Sequence, residues 1–218
     1  YAGSNAEAAV VIGTIDVSGA RGVHHVVRVQ RSTFSDWSSQ DEIGCLIHNA
    51  FGSVIEILEV AGFRTGIECR ASNALGFSHN VIDVTNANQN LVHLRLTNVT
   101  NGFCNENVVR GGRFTNFGSS LPDNADKTGR RAVLIDSRDA SYLINNNNIL
   151  IKPAFQADGG VGIEIKHGTM NRVIAGRSEM GTGSYAALFS AAAAHNEVDI
   201  EYATTGDSER VRWESTSN

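Results

Sequence analysis

Short segments of the form Asn, any residue, branched apolar residue recur along most of the chain, and inside each one apolar and polar positions alternate. Asn80-Val81-Ile82-Asp83-Val84, Asn107-Val108-Val109-Arg110-Gly111, Asn147-Asn148-Ile149-Leu150-Ile151, Asn171-Arg172-Val173-Ile174-Ala175 and Asn196-Glu197-Val198-Asp199-Ile200 share one frame. Ser53-Val54-Ile55-Glu56-Ile57 fits it with Ser in place of Asn. These segments start at 53, 80, 107, 147, 171 and 196, so the steps are 27, 27, 40, 24 and 25 residues. A repeat of this length, whose units cannot bury an apolar face alone, is the mark of a solenoid. The step of 40 contains an insertion.

A second apolar segment precedes each of these: Cys45-Leu46-Ile47, Ile67-Glu68-Cys69, Leu94-Arg95-Leu96, Leu134-Ile135-Asp136, Ile163-Glu164-Ile165 and Leu188-Phe189-Ser190. Alternation over so few residues predicts strands, because a helix needs apolar positions at i, i+3, i+4 and i+7. Only Ala191 to Ala194 favours a helix, and four residues are too few to nucleate one. Parallel strands joined by short bends cross over right-handedly. The expected fold is an all-β, right-handed parallel β-helix forming one domain over residues 1–218.

In this frame Ile55, Ile82, Val109, Ile149, Val173 and Val198 point inward and stack about 4.8 Å apart. The Asn opening each segment sits at a bend, where tolerance of left-handed backbone and amide bonding to the next rung both favour it. Composition agrees: 22 Gly and 20 Asn stand against 2 Pro, which is turn chemistry. The net charge of −5 shows no basic stripe, so neither nucleic acid nor an anionic membrane surface is expected as partner. No apolar run approaches the roughly 20 residues needed to span a bilayer, so no membrane insertion is expected. The chain begins at Tyr1 rather than Met, which suggests a processed or excised part of a longer protein. Cys45, Cys69 and Cys104 have no zinc spacing and form an odd set, so they read as small buried apolar side chains. The seven His show no ligand spacing, and no metal or cofactor is expected.

The Asn-rich bends and Val/Ile ladders resemble the pectate-lyase-like β-helices, and more closely the β-helical tailspikes of bacteriophages. The resemblance covers roughly residues 40 to 205. Its most specific stretch is Asn101-Gly102-Phe103-Cys104-Asn105-Glu106-Asn107-Val108-Val109-Arg110-Gly111-Gly112-Arg113-Phe114, preceded by Gly44 to Asn49 and Ile55 to Phe63. It implies a homotrimer on a virion tail, or an extracellular protein, that recognises bacterial surface polysaccharide and often depolymerises it. A calcium cluster of several Asp beside a basic residue is not found, so hydrolysis is expected ahead of lyase chemistry. A non-catalytic shaft or adhesin and a uronan lyase or epimerase are the alternatives.

The outward positions of the alignment form a column of Glu56, Asp83, Arg110, Leu150, Ile174 and Asp199. Adjacent rungs bring Glu56 and Asp83 near the roughly 5–5.5 Å separation of a retaining glycosidase pair. They are the candidate catalytic residues. Arg110 stands ready for a sugar hydroxyl or carboxylate, and Glu59, Asn86, Arg113 and Arg177 are further candidate substrate-binding residues. A plain solvent-facing ladder of weak charge pairs is the competing explanation. The insertion, Asn116 to Arg131, is expected to be an exposed loop walling the groove, with Trp37 plugging the first rungs. Apolar residues taken as outward, Leu46, Ile135, Leu150, Ile174 and Phe189, suggest a contact between subunits.

Overall fold

The computed structural model describes residues 8–13, 22, 24–31, 42–116, 129–137, 145–157, 160–181, 185–205 and 211–213. They form a parallel β-helix with three sheets. The first sheet stacks β1 (Ala8–Gly13), β3 (Ile43–His48), β5 (Thr65–Ala71), β8 (Val92–Asn98), β11 (Arg131–Ser137), β15 (Val161–Thr169), β17 (Tyr185–Ala194) and β19 (Val211–Trp213). The second stacks β2 (His24–Gln30), β4 (Val54–Ala61), β7 (Val81–Asn88), β10 (Val108–Asn116), the pair β13 (Ile149–Ile151) and β14 (Ala154–Ala157), β16 (Arg172–Met180) and β18 (Glu197–Thr205). A narrow third sheet holds β6 (Gly76–Ser78), β9 (Phe103–Asn105) and β12 (Asn145–Asn146). Neighbouring strands pair in parallel throughout, and Ala192 to Ala194 lie in β17 rather than in a helix.

The core is the stack of inward columns. Ile55, Ile82, Val109, Leu150 and Val173 are buried on successive rungs of the second sheet. Cys45, Ile67, Leu94, Val133, Ile163 and Ala187 face them from the first. The three cysteines are free and buried, and burial pushes the Cys45 thiol up to about 12. At one corner Phe114 stacks on Phe155 with ring centroids 6.0 Å apart, and His93 lies 5.7 Å from Phe114. Burial, with the nearby charge of Arg130, pulls the His93 pKa down to about 3, which keeps the ring neutral inside the core.

One rung differs from the expected frame by a single residue. Val109 pairs with Leu150, not Ile149, and Leu150 is fully buried while Ile149 is 37% exposed. The side-chain amides decide the register. Asn80 Nδ2 donates to Asn107 Oδ1 at 2.9 Å, Asn107 Nδ2 to Asn148 Oδ1 at 2.9 Å, Asn148 Nδ2 to Asn171 Oδ1 at 2.9 Å, and Asn171 Nδ2 to Asn196 Oδ1 at 3.0 Å. Each Oδ1 also accepts the backbone N–H of the preceding ladder Asn, and Asn80 Oδ1 accepts that of Ser53. The ladder residue is therefore Asn148, and the steps 80, 107, 148, 171, 196 are 27, 41, 23 and 25.

The left-handed backbone expected of these Asn belongs instead to the residue before each: His79, Glu106, Asn147, Met170 and His195 all have φ between 53° and 57°. The ladder Asn is selected for its amide, and the residue ahead of it makes the bend.

Of the five apolar residues expected to point outward, three point inward and a fourth faces out but is buried. Ile135, Leu150 and Phe189 belong to the main core, and Leu46 is buried in a small separate cluster with Ala8 and Ile43. Among those five, Ile174 alone is half-buried on an outer face. Asn116 closes β10 and Arg131 opens β11, while Arg130 is 1% exposed. Residues 117–128 of the insertion, and Trp37, lie outside the described residues.

Candidate functional site

The two large sheets differ on their outer faces. On the first, most outward residues in the middle of the stack are nevertheless buried: Leu46, Glu68, Leu134, Glu164 and Leu188 are all at most 8% exposed, Arg95 is half-buried, and Val11 and Arg212 at the two ends of the column are exposed. On the second, the outward positions are open or half-open along the whole stack. A ligand meeting the described residues finds its accessible strand surface on the second sheet.

Register places the expected residues there as neighbours. Glu56 pairs with Asp83 and Asp83 with Arg110, so these three occupy consecutive rungs of one column, which continues through Ile151, Ile174 and Asp199. Ile151 takes the place expected for Leu150. Arg110 Nε and Nη2 donate to the two oxygens of Asp83, each at 2.6 Å. Hydrogen bonding and charge from Asp83 hold the Arg110 guanidinium above its ordinary pKa. Glu56 Oε1 lies 2.7 Å from His24 Nε2. Both carboxylates are thus tied to a neighbouring side chain at the surface.

A second outward column runs beside the first. The offset of 27 that pairs Ile57 with Val84 and Val60 with Ala87 sets Glu59 opposite Asn86. Asn86 then pairs with Arg113, Arg113 with Ala154, Ala154 with Arg177 and Arg177 with Tyr202. Glu59 sits 3.9 Å from Arg28, and Arg177 sits 3.6 Å from Glu179. Asn86 Oδ1 is buried without a hydrogen-bond partner among the described residues. Between the two columns, Gly111 and Gly112 have φ of 70° and 104°, values that any side chain would strain. They bend β10 so that Arg110 and Arg113 both face out.

On the other flank, Val54, Val81, Val108 and Ile149 stack as an outward aliphatic column. Where it meets the bend, Val108, Ile149 and Met170 floor a depression of about 450 Å³ between Glu106 and Arg172.

No family model, curated protein or solved structure matches the chain. The residues themselves therefore carry the functional argument. Among the described residues no group of three His, Cys, Asp or Glu is placed to hold a metal ion, and no helix is long and apolar enough to cross a membrane.

Sequence reasoning missed a set of charges on the covered face of the first sheet. Glu68 is fully buried, with Arg70 Nε and Nη2 each 2.6 Å from its Oε1 and Arg95 Nη1 3.8 Å from its Oε2. Arg95 also donates to both oxygens of Asp136, at 2.9 and 2.5 Å. Burial alone would lower the Arg95 pKa, but the hydrogen bonds and charge of Asp136, with the charge of Glu68, more than offset it and leave it raised. Two rungs from Arg95 in the same column, Glu164 pairs with Arg131 and lies 3.6 Å from Lys166. The signal was present in the triplets Ile67-Glu68-Cys69, Leu94-Arg95-Leu96 and Ile163-Glu164-Ile165, whose middle residues stand in one column.

Proposed function

We propose that this β-helix binds bacterial surface polysaccharide along the outer face of its second sheet, in the manner of the tailspike-type β-helices it resembles. The observation that carries the reading is the contrast between the sheets. The open face presents Glu56, Asp83, Arg110, Glu59, Asn86, Arg113 and Arg177 in two columns, repeated at the rung spacing of about 4.8 Å. A polymer of sugars, each offering hydroxyls at regular intervals, matches a periodic row of carboxylates, amides and guanidinium groups.

Catalysis by Glu56 and Asp83 is the second reading, favoured by their position on paired rungs. Arg110 occupies both oxygens of Asp83 and His24 holds Glu56, an arrangement that suits recognition better than proton transfer. Incubation of the intact protein with a panel of capsular and O-antigen polysaccharides separates the readings. Binding with neither new reducing ends nor unsaturated uronate is the expected result. Reducing ends that disappear by orders of magnitude in Glu56→Gln and Asp83→Asn would assign a hydrolase instead, and absence of binding to every polymer would overturn the proposal.

The proposal includes a parallel homotrimer displayed on a virion tail or secreted, as the resemblance implies. The column Val54, Val81, Val108 and Ile149 supplies an exposed apolar strip for such a contact. Light scattering at micromolar concentration is expected to give three times the chain mass of 23.3 kDa. A monomer would remove the trimer from the proposal.

A further inference from the structure

We infer that Arg113 and Arg177, with Ala154 between them, form a notch for the carboxylate of an acidic sugar, so that the polysaccharide recognised is a uronate-type polymer. This inference rests on the binding reading given above and narrows its ligand.

The starting point is an imbalance of charge. On the second sheet Arg28, Arg110, Lys152, Arg172 and Arg177 each have a carboxylate within 4 Å, contributed by Glu59, Asp83, Glu201, Glu197 and Glu179. Arg113 is exposed and has no such neighbour among the described residues. Its partners in register are Asn86 on one side and Ala154 on the other, neither of which carries charge.

The second element is shape. Arg113 pairs with Ala154 and Ala154 with Arg177, so the two arginines are two rungs apart, roughly 10 Å between their backbones. Ala154 is half-buried and contributes a single methyl group, so no long side chain stands in register between the two arginines. Both arginines are long enough to lean over Ala154. Two planar forks within reach of one gap would match a carboxylate better than a neutral hydroxyl, because each N–H···O⁻ bond is charge-assisted. Among the described residues the one ion pair of Arg177 is a contact of 3.6 Å to Glu179, and its side chain is 46% exposed. An exposed pair of this kind contributes little and is readily exchanged for a ligand carboxylate.

The third element is the continuation of the column. Tyr202 follows Arg177 in register and is 54% exposed, offering an aromatic face to the next sugar along the solenoid axis. Thr115 and Gln156, paired in the adjacent outward column, add hydroxyl and amide groups beside the notch.

The test uses the intact protein and the polysaccharide panel, with each acidic polymer that binds also supplied after chemical reduction of its carboxylates to alcohols. Acidic members are expected to bind, with a loss of tenfold or more on carboxyl reduction. Arg113→Ala and Arg177→Ala are each expected to produce a loss of similar size for the acidic polymer. Ala154→Leu fills the gap while keeping both charges, and it too is expected to weaken acidic polymers at least tenfold. Circular dichroism confirms that each variant keeps its strands. Binding restricted to neutral polymers would overturn the notch and leave the general binding reading intact, as would binding indifferent to carboxyl reduction. An Ala154→Leu protein that binds as well as the parent would also overturn it, by showing that diffuse charge rather than the gap attracts the polymer. Failure to bind any polysaccharide would instead defeat the binding reading on which the notch rests.

Discussion

Glu68→Ala is expected to lower the free energy of unfolding by about 3–5 kcal/mol, the usual cost of stranding a buried charge. Glu68 is fully buried on the outer side of the first sheet, with Arg70 2.6 Å away and Arg95 3.8 Å away. Deleting its carboxylate leaves two cations facing each other where water cannot screen them. Arg95 keeps Asp136, so the larger burden falls on Arg70. The double variant Glu68→Leu/Arg70→Leu removes both members of the closest pair and is expected to lose less than Glu68→Leu alone, since a buried ion pair is replaceable by apolar groups of similar volume. Urea unfolding of the parent and the three variants gives both comparisons. A change below about 1 kcal/mol in Glu68→Ala would show that the face admits water and behaves as a surface ladder.

Asn148→Ala is expected to cost about 3 kcal/mol or more, whereas Asn147→Gly is expected to change stability by less than about 0.5 kcal/mol or to raise it slightly. Asn148 Oδ1 accepts from the backbone N–H and the Nδ2 of Asn107, and its own Nδ2 donates to Asn171 Oδ1 and to the Cys104 carbonyl at 3.0 Å. Alanine leaves several of these buried groups without partners, at about 1–3 kcal/mol each. Asn147, one residue earlier, has φ of 53° and is exposed, so glycine there meets the backbone requirement without strain. Denaturant titration of the two variants, with unfolding rates if refolding is incomplete, tests the register directly. Equal losses would contradict the assignment of the ladder to Asn148.

The contrast between these neighbours explains why the fold was legible and one rung was misplaced. Branched apolar residues alternating with polar ones identify the strands, and the repeated Asn identifies the turns. The run Asn145 to Asn148 offers four candidates for one ladder position, and Ile149-Leu150-Ile151 is apolar on both faces, so neither signal distinguishes the frames. The hydrogen bond from Asn107 resolves the choice, and it is a long-range fact. The same reasoning applies to the site. Glu56, Asp83 and Arg110 form a column because three consecutive rungs share a 27-residue step, which alignment reads without error. Alternation also reports that Glu68, Arg95 and Glu164 point away from the core. It is silent on whether an outward face meets solvent, because a two-residue period reports direction and not exposure.

The Asn ladder has a consequence for how such a protein changes over generations. Its rungs contain 27, 41, 23 and 25 residues between successive ladder amides, yet Val109 still lies over Leu150 and Leu150 over Val173. Each amide clamps its rung to the next one locally, so the length of the intervening chain does not propagate into the stacking. Residues gained or lost between clamps are absorbed where they occur. The columns on the second sheet can therefore keep their alignment while the connections lengthen or shorten, which lets the solenoid absorb indels that would shift the register of an ordinary sheet.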